Sequence, residues 1–359
     1  MKKIRVLQII DSLNAGGAEV LAVNIANGLS EKNIESHLCA TRKEGILKAN
    51  IDKKVGYIYI NRKKIIDIKA LLILRNYIKK NKINIVHSHA TSWFFAVCIK
   101  LIKPSLELVW HDHFGNSEFL NKRNKFPLNI LSILFSKIIV VNSNLKKWAE
   151  NNLNCKKVYF VNNFASLEDT IPKTELLGKE GKKIVHLAGF REQKDHLNLL
   201  MAFELFIKKN SDWTLHLIGK DYDDVYSSKI KEYISSKSLE RHVFLYGACM
   251  DIKNILSQAT VGVLSSKSEG LPVSLLEYGL IKLPVVVTNV GECAKVITNN
   301  KSGILVKPEN FMNLHQGLEK LVSLEINPKE MGENLHTVVL KKYSKEVFIK
   351  TITNIYLNC

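Results

Sequence analysis

Short apolar runs alternate along this chain with longer stretches whose apolar positions recur every three or four residues. The first pattern is that of buried strands, the second that of helices with one apolar face. In the first half it predicts strands over residues 5–10, 36–40, 57–60, 83–87, 106–110, 138–141 and 158–161, with helices between them at 18–30 and 67–80. The pattern then starts afresh, with strands at 183–188, 214–218, 243–246, 260–264, 285–288 and 303–306 and helices at 195–210, 226–237 and 314–324. Strands that alternate with helices in this way make parallel α/β sheets. The polar stretch 165–183, with Pro172, Gly178 and Gly181, reads as the linker between two doubly wound domains. A ligand is then expected in the cleft between them.

The run at 259–264 ends in Ser265 and Ser266, which places Glu269 in a loop at the carboxyl end of a strand. Gly270, Leu271 and Pro272 form the corner, and Glu277, eight positions after Glu269, falls in the following helix. Open α/β sheets bind ligands at the carboxyl ends of their strands. An ionised carboxylate accepts several hydrogen bonds. Two acids here therefore suit a hydroxyl-rich ligand such as the sugar and ribose of a nucleotide-sugar. Spacing alone favours the plainer reading, a helix with an acidic first turn and one more exposed Glu.

Composition changes the picture in two places. The chain of 359 residues carries a net charge of +18, unevenly spread. Residues 1–165 hold 27 Lys and Arg against 11 Asp and Glu, whereas residues 166–359 hold 25 against 23. A basic first half implies an anionic partner for that half, either nucleic acid or an acidic membrane surface; a coding bias toward Lys, Asn and Ile is the neutral explanation. The six cysteines are scattered with no close pair, which argues for a reducing compartment and against a disulfide framework or a zinc site. No apolar run reaches the length of a membrane span. The opening Met1-Lys2-Lys3-Ile4-Arg5-Val6-Leu7 runs into Gln8 and Asp11 and reads as a first strand rather than a leader.

Candidate chemistry clusters at strand ends. Asn14-Ala15-Gly16-Gly17-Ala18-Glu19 follows the first strand and opens the first helix; its glycines suit close approach to a phosphate, or simply a tight turn. Gly189-Phe190-Arg191-Glu192-Gln193-Lys194-Asp195-His196 occupies the corresponding place in the second half, where Arg191 and Lys194 are placed to clamp a diphosphate or to form a solvated turn. His87-Ser88-His89 and His111-Asp112-His113 each end a strand. With no Cys or third acid beside them, a sugar contact is preferred to a metal. Basic and apolar residues mix at 65–82, read as a helix on the sheet. They mix again at Phe119-Leu120-Asn121-Lys122-Arg123-Asn124-Lys125-Phe126, which has the pattern of an interfacial membrane anchor or of a buried loop.

Taken in order, these pieces resemble the retaining glycosyltransferases of family 4, group 1, which have the GT-B fold. The markers are Gly16-Gly17-Ala18-Glu19, Val86-His87-Ser88-His89, His111-Asp112, Val141-Asn142-Ser143, Asn162, Gln193-Lys194-Asp195-His196, Gly219 and Gly247. They continue with Ser266-Lys267-Ser268-Glu269-Gly270-Leu271-Pro272, Glu277, Pro284-Val285-Val286 and Gly303-Ile304-Leu305-Val306. The resemblance implies an acceptor-binding Rossmann-like domain over 1–165 and a nucleotide-sugar-binding one over 166–340. A C-terminal helix in 341–359 would pack back toward the first.

By the same resemblance, Glu277 would accept from the ribose hydroxyls, and Glu269, with Gly270 and Leu271, would contact the donor. Lys194 and Arg191 would neutralise the departing diphosphate. Gly16 and Gly17 would close on that diphosphate, and His111 would lie near the reacting carbon. No metal and no cofactor is implied, because Lys, Arg and helix termini stabilise the leaving group. Three departures stand out. Gly189 replaces an Arg that the family often has. Tyr278-Gly279-Leu280-Ile281-Lys282 replaces a run of small residues. Gly291-Glu292 with Lys295 replaces a Gly-Gly turn and a later Glu.

The implied function is transfer of a hexosyl or N-acetylhexosaminyl group, with retention, from a nucleoside diphosphate sugar, UDP-linked, to a glycan acceptor. The basic first half adds a lipid-linked acceptor at the inner face of a bacterial cytoplasmic membrane, in capsule, O-antigen or similar polysaccharide assembly. A non-catalytic GT-B module that binds a glycan or membrane is the alternative. An epimerase on the same fold finds no supporting His/Glu arrangement, and no nucleic-acid-binding module is evident.

Overall fold

The structure, a computed structural model, describes residues 3–14, 16–32, 34–114, 120–167, 169–323 and 325–357. Met1, Lys2, Ala15, Phe119, Leu324 and Cys359, all used in the sequence reading, lie outside the described residues. Two compact units form, Met1–Asn162 with Glu346–Cys359 and Asn163–Lys345.

In the first unit seven strands follow the expected runs: β1 (Arg5–Ser12), β2 (Glu35–Lys43), β3 (Gly56–Tyr59), β4 (Ile85–His89), β5 (Glu107–Asp112), β6 (Lys137–Val140) and β7 (Val158–Phe160). Their order is β3-β2-β1-β4-β5-β6-β7, with every pairing parallel. Strands β4 and β6 are buried at every position, as a parallel sheet covered on both faces requires. Helices α1 (Gly17–Glu31), α2 (Ile68–Lys80) and α3 (Trp93–Ile102) lie between strands. Asp67 starts α2 by accepting from the Ala70 amide at 3.1 Å, and Lys79 and Lys80 fall in its last turn, where the dipole favours cations.

The C-terminal helix Lys345–Leu357 belongs with this unit. It buries Ile352, Ile355 and Tyr356. The Lys137 ammonium donates to the Ile355 carbonyl, and the Tyr356 hydroxyl lies 2.6 Å from His87 Nδ1.

The second unit has six parallel strands, β8 (Lys183–Leu187), β9 (Thr214–Ile218), β10 (Val243–Gly247), β11 (Val261–Leu264), β12 (Val285–Thr288) and β13 (Ile304–Val306), ordered β10-β9-β8-β11-β12-β13. The expected linker is not one throughout. Its later part packs on this unit: Asp251 accepts from the Lys173 and Thr174 amides, both at 2.8 Å, and Leu176 is buried. The units divide at Asn162 and Asn163 instead.

In each sheet the strand order reverses once, between β1 and β4 and between β8 and β11. At such a point the neighbouring connections run to opposite faces, which opens a crevice at the carboxyl ends. No helix among the described residues is long and apolar enough to cross a membrane.

Candidate active site

The connections after β8 and β11 meet at the switch point of the second unit. After β8 the chain passes through a tight turn, Glu192–Lys194, to Asp195, whose left-handed backbone (φ 51°, ψ 50°) starts the helix His196–Ile207. Two bonds pin that turn to the connection after β11. Ser265 Oγ donates to the Lys194 carbonyl at 2.9 Å, and the Lys267 amide donates to the Gln193 carbonyl at 2.8 Å. Lys194 Nζ thereby reaches Glu269 Oε1 at 2.5 Å, and Ser266 Oγ donates to the same oxygen at 2.7 Å. Glu269 is nearly buried in this pairing, while Lys194 keeps some exposure.

The Gly270–Leu271–Pro272 corner follows, and the helix Val273–Leu280 begins with no side-chain cap. The positive end of this helix favours an anion such as phosphate. Glu277 lies in this helix, and among the described residues no hydrogen bond or ion pair to its carboxyl is found. The residue as a whole keeps partial exposure, yet burial of the carboxyl pushes its pKa up to about 7. An acid held this way gains by accepting hydrogen bonds from a ligand.

Two of the departures from the family pattern have a local explanation. Tyr278 is fully buried against Gly262 of β11, where an added Cβ would come within 2.8 Å of its ring. Its hydroxyl accepts from the Leu187 amide at 2.8 Å, at the end of β8. The aromatic ring thus fills the space that small residues would leave. Gly291 has φ +53°, and a Cβ there would lie 2.0 Å from the Glu269 carbonyl oxygen. The Glu292 amide donates to the Gly270 carbonyl at 2.9 Å, so this turn holds the acidic loop from behind. Glu292 is buried and pairs with Lys295.

Arg191 does not join Lys194 at Glu269. Its Nη2 donates to the Tyr222 hydroxyl at 2.6 Å, and the guanidinium lies over the Tyr222 ring at 5.1 Å. Of the expected clamp, Lys194 alone is set at the acidic loop.

In the first unit Gly16 caps α1 with extended backbone, and Glu19 folds back so closely that a Cβ on Gly16 would lie 2.4 Å from its carboxylate. Gly17 faces open space. The helix start is therefore already attended by an acid of its own, and an anion there must compete with it.

His111 is expected beside a reacting carbon, but the structure gives it 0% exposure. Its ring stacks on His87 at 5.3 Å and on His113 at 4.2 Å, and His89 completes the group. Burial pushes His87 and His113 down to about 3 and also holds His89 and His111 well below the usual His range, so the rings are neutral.

The expected membrane anchor also needs correction. Arg123 pairs with the buried Asp112 through both guanidinium nitrogens (2.6 and 3.0 Å) and lies over the rings of Phe114 and Trp148. It is a buried loop tie, unavailable to lipid. Lys122, Lys125 and Phe126 are exposed.

The sequence singled out Ser265, Ser266, Tyr278 and Gly291 but not what they do: the serine bonds to Lys194 and Glu269, the burial of Tyr278 and the support from Gly291 come from the fold. The small polar residues after β11 and the positive-φ glycine were the available signals.

Comparison with known proteins agrees with this geometry. The model for "Glycosyltransferase Family 4" matches residues 15–169, and that for "Glycosyl transferases group 1" matches residues 168–337. A poly(ribitol-phosphate) alpha-N-acetylglucosaminyltransferase of Staphylococcus aureus is 24% identical over 68% of this chain and 48% of its own length. This chain thus spans about half of that relative. A UDP-Gal:alpha-D-GlcNAc-diphosphoundecaprenol alpha-1,3-galactosyltransferase of Escherichia coli is 24% identical over 81% of this chain and 80% of its own. Among solved structures, HepE of Anabaena in complex with UDP superposes with a TM-score of 0.79 at 15% identity, covering 99% of this chain and 100% of that one. With both family models matched end to end over two parallel sheets, the chain belongs to the family 4, group 1, glycosyltransferases and has the GT-B fold.

Proposed function

We propose that this enzyme transfers a hexosyl or N-acetylhexosaminyl group, with retention, from a UDP-sugar to a lipid-linked glycan acceptor during assembly of a bacterial surface polysaccharide. The observation that carries the reading is the Lys194–Glu269 pair across the β8/β11 switch point, with the unpartnered carboxyl of Glu277 on the helix that follows. Glu277 accepts from the ribose hydroxyls. Glu269 addresses the sugar with the oxygen not given to Lys194, and Gly270 and Leu271 line the approach. Lys194 and the uncapped start of the helix Val273–Leu280 neutralise the diphosphate as it leaves. The acceptor attacks on the face the nucleotide leaves, and the departing phosphate oxygen takes the acceptor proton. No metal or cofactor enters this step. This reading leaves out Arg191, which is engaged with Tyr222, and His111, which is buried.

The relatives that act on diphosphoundecaprenol-linked sugar and on poly(ribitol-phosphate) support a surface-glycan acceptor. The basic first unit supports work at the inner face of the cytoplasmic membrane.

A screen of UDP-sugars with lipid-diphosphate-linked acceptors, read by UDP release, tests the reading. One donor should give acceptor-dependent release, and the new linkage should keep the donor's anomeric configuration by NMR. Lys194→Met should lower turnover roughly 100-fold, the scale of losing one transition-state donor. Tight nucleotide binding without release from any donor would favour a non-catalytic glycan- or membrane-binding module.

A further inference from the structure

The imidazole group of the first unit has features that a plain aromatic core does not. Residues His87 and His89 lie two apart on β4 and so share a face of the sheet. His111 on β5 pairs in register with His89. The three rings lie 4.5 to 5.5 Å apart, centroid to centroid, and all three residues are 0% exposed. One ring nitrogen from each falls within 4.8 Å of the other two.

The nitrogens divide into two sets. His87 Nδ1 contacts the Tyr356 hydroxyl at 2.6 Å, and His89 Nε2 contacts Gln8 Oε1 at 2.8 Å. By contrast, His87 Nε2 and both nitrogens of His111 are buried with no hydrogen-bond partner. His89 Nδ1 lies 3.1 Å from His113 Nε2. Each buried nitrogen left unsatisfied costs about 1–3 kcal/mol, and three in one place call for an occupant.

We infer that His87 Nε2, His89 Nδ1 and a nitrogen of His111 form a binding site for a divalent transition metal of the zinc class, with His113 beside it. Zinc takes imidazole nitrogens at about 2.0–2.1 Å, which sets tetrahedral ligands about 3.3 Å apart. The ring nitrogens of His87, His89 and His111 lie within 4.8 Å of one another, so the rings must turn out of their stack to close on a common centre. Metal-bound histidines hold their other ring nitrogen on a polar partner, which fixes ring orientation. Gln8 and Tyr356 stand in that position for His89 and His87. The metal would join the ends of β4 and β5 and, through Tyr356, the C-terminal helix. Its role is structural, and the inference stands apart from the proposed transfer reaction. In the sequence the lack of a Cys or third acid beside the His pairs argued against a metal; the fold brings a third imidazole from the neighbouring strand instead.

The test uses the full chain without a polyhistidine tag, stripped of metal and then titrated with Zn(II) or Co(II). One equivalent should bind, with the visible absorption of Co(II) in a tetrahedral site, and Zn(II) should raise the melting temperature. His111→Phe, which keeps the ring stack, should abolish both effects. Tyr356→Phe should weaken metal binding about 10-fold while leaving the chain folded. The wild-type titration stands even where a variant fails to fold. Absence of a stoichiometric wild-type Co(II) band would overturn the site, as would unchanged binding in His111→Phe.

Discussion

Glu277 is the residue whose electrostatics make the sharpest demand. Unfolded, its carboxyl ionises near the ordinary value of 4.5, whereas in the folded chain burial raises this to about 7. The folded state therefore holds the proton more tightly. Its cost is absent below about pH 4, grows as pH rises between the two values, and is complete above about pH 8. The difference amounts to about 3 kcal/mol at most. Glu277→Gln removes this cost, so the variant should melt higher than wild type at pH 8 and at the same temperature at pH 4. Melting curves at the two pH values check this, and a variant no more stable at pH 8 would mean that the carboxyl is not strained by burial. Hydroxyl donors from a nucleotide would favour the ionised form, so binding near pH 7 should release a proton.

At the scale of elements, the site consists of two connections locked together at a switch point. Ser265, Ser266 and the backbone of 267 fix where Lys194 stands, and Gly291 supports the acidic loop from behind. Gly291→Ala must adopt φ +53° and move the Glu269 carbonyl, so it should lose on the order of 2 kcal/mol and weaken nucleotide binding. Gly181→Ala, with φ +75° but nothing within 4 Å, should cost only about 1 kcal/mol and leave binding unchanged. Thermal melts and nucleotide titrations of both variants separate the clash from backbone strain; equal losses would refute the supporting role.

Much of this level was legible in the sequence. The apolar runs of β8 and β11, the serines after β11 and the corner at Gly270 and Pro272 are local signals, and they placed Glu269 and Glu277 correctly on loop and helix. What stayed hidden depends on partners distant in the chain. Tyr222 takes Arg191 away from Lys194, Asp112 takes Arg123 out of the solvent, and a neighbouring strand buries His111. A charged or titratable residue shows its type in a sequence, but its burial is decided by what the fold brings to it.

For the whole molecule, the positive charge belongs to the first unit, and so does an apolar surface. Ile65, Ile66 and Ile68 are 66%, 59% and 71% exposed, with Leu72 and Ile73 beside them on α2. Lys63, Lys64, Lys69, Arg75, Lys79 and Lys80 surround them in sequence. The 65–82 segment, expected mainly as a helix packed on the sheet, is thus a better lipid-facing candidate than the Arg123 loop. Each basic residue near an anionic leaflet contributes about 1 kcal/mol, and exposed Ile and Leu add insertion. The double variant Ile68→Glu, Leu72→Glu touches no core position and should keep its melting temperature while losing most flotation with anionic vesicles. Unchanged flotation would remove α2 from the membrane account.

The central claim is that the second unit holds a nucleotide-sugar through Glu277 beside the Lys194–Glu269 pair. Calorimetric titration of UDP into wild type and Glu277→Gln at pH 8 tests it most directly. The account predicts saturable one-site binding to wild type and affinity lower by about 10-fold or more in the variant, the loss of charge-assisted hydrogen bonds to two hydroxyls. Equal affinity in the two proteins would contradict it.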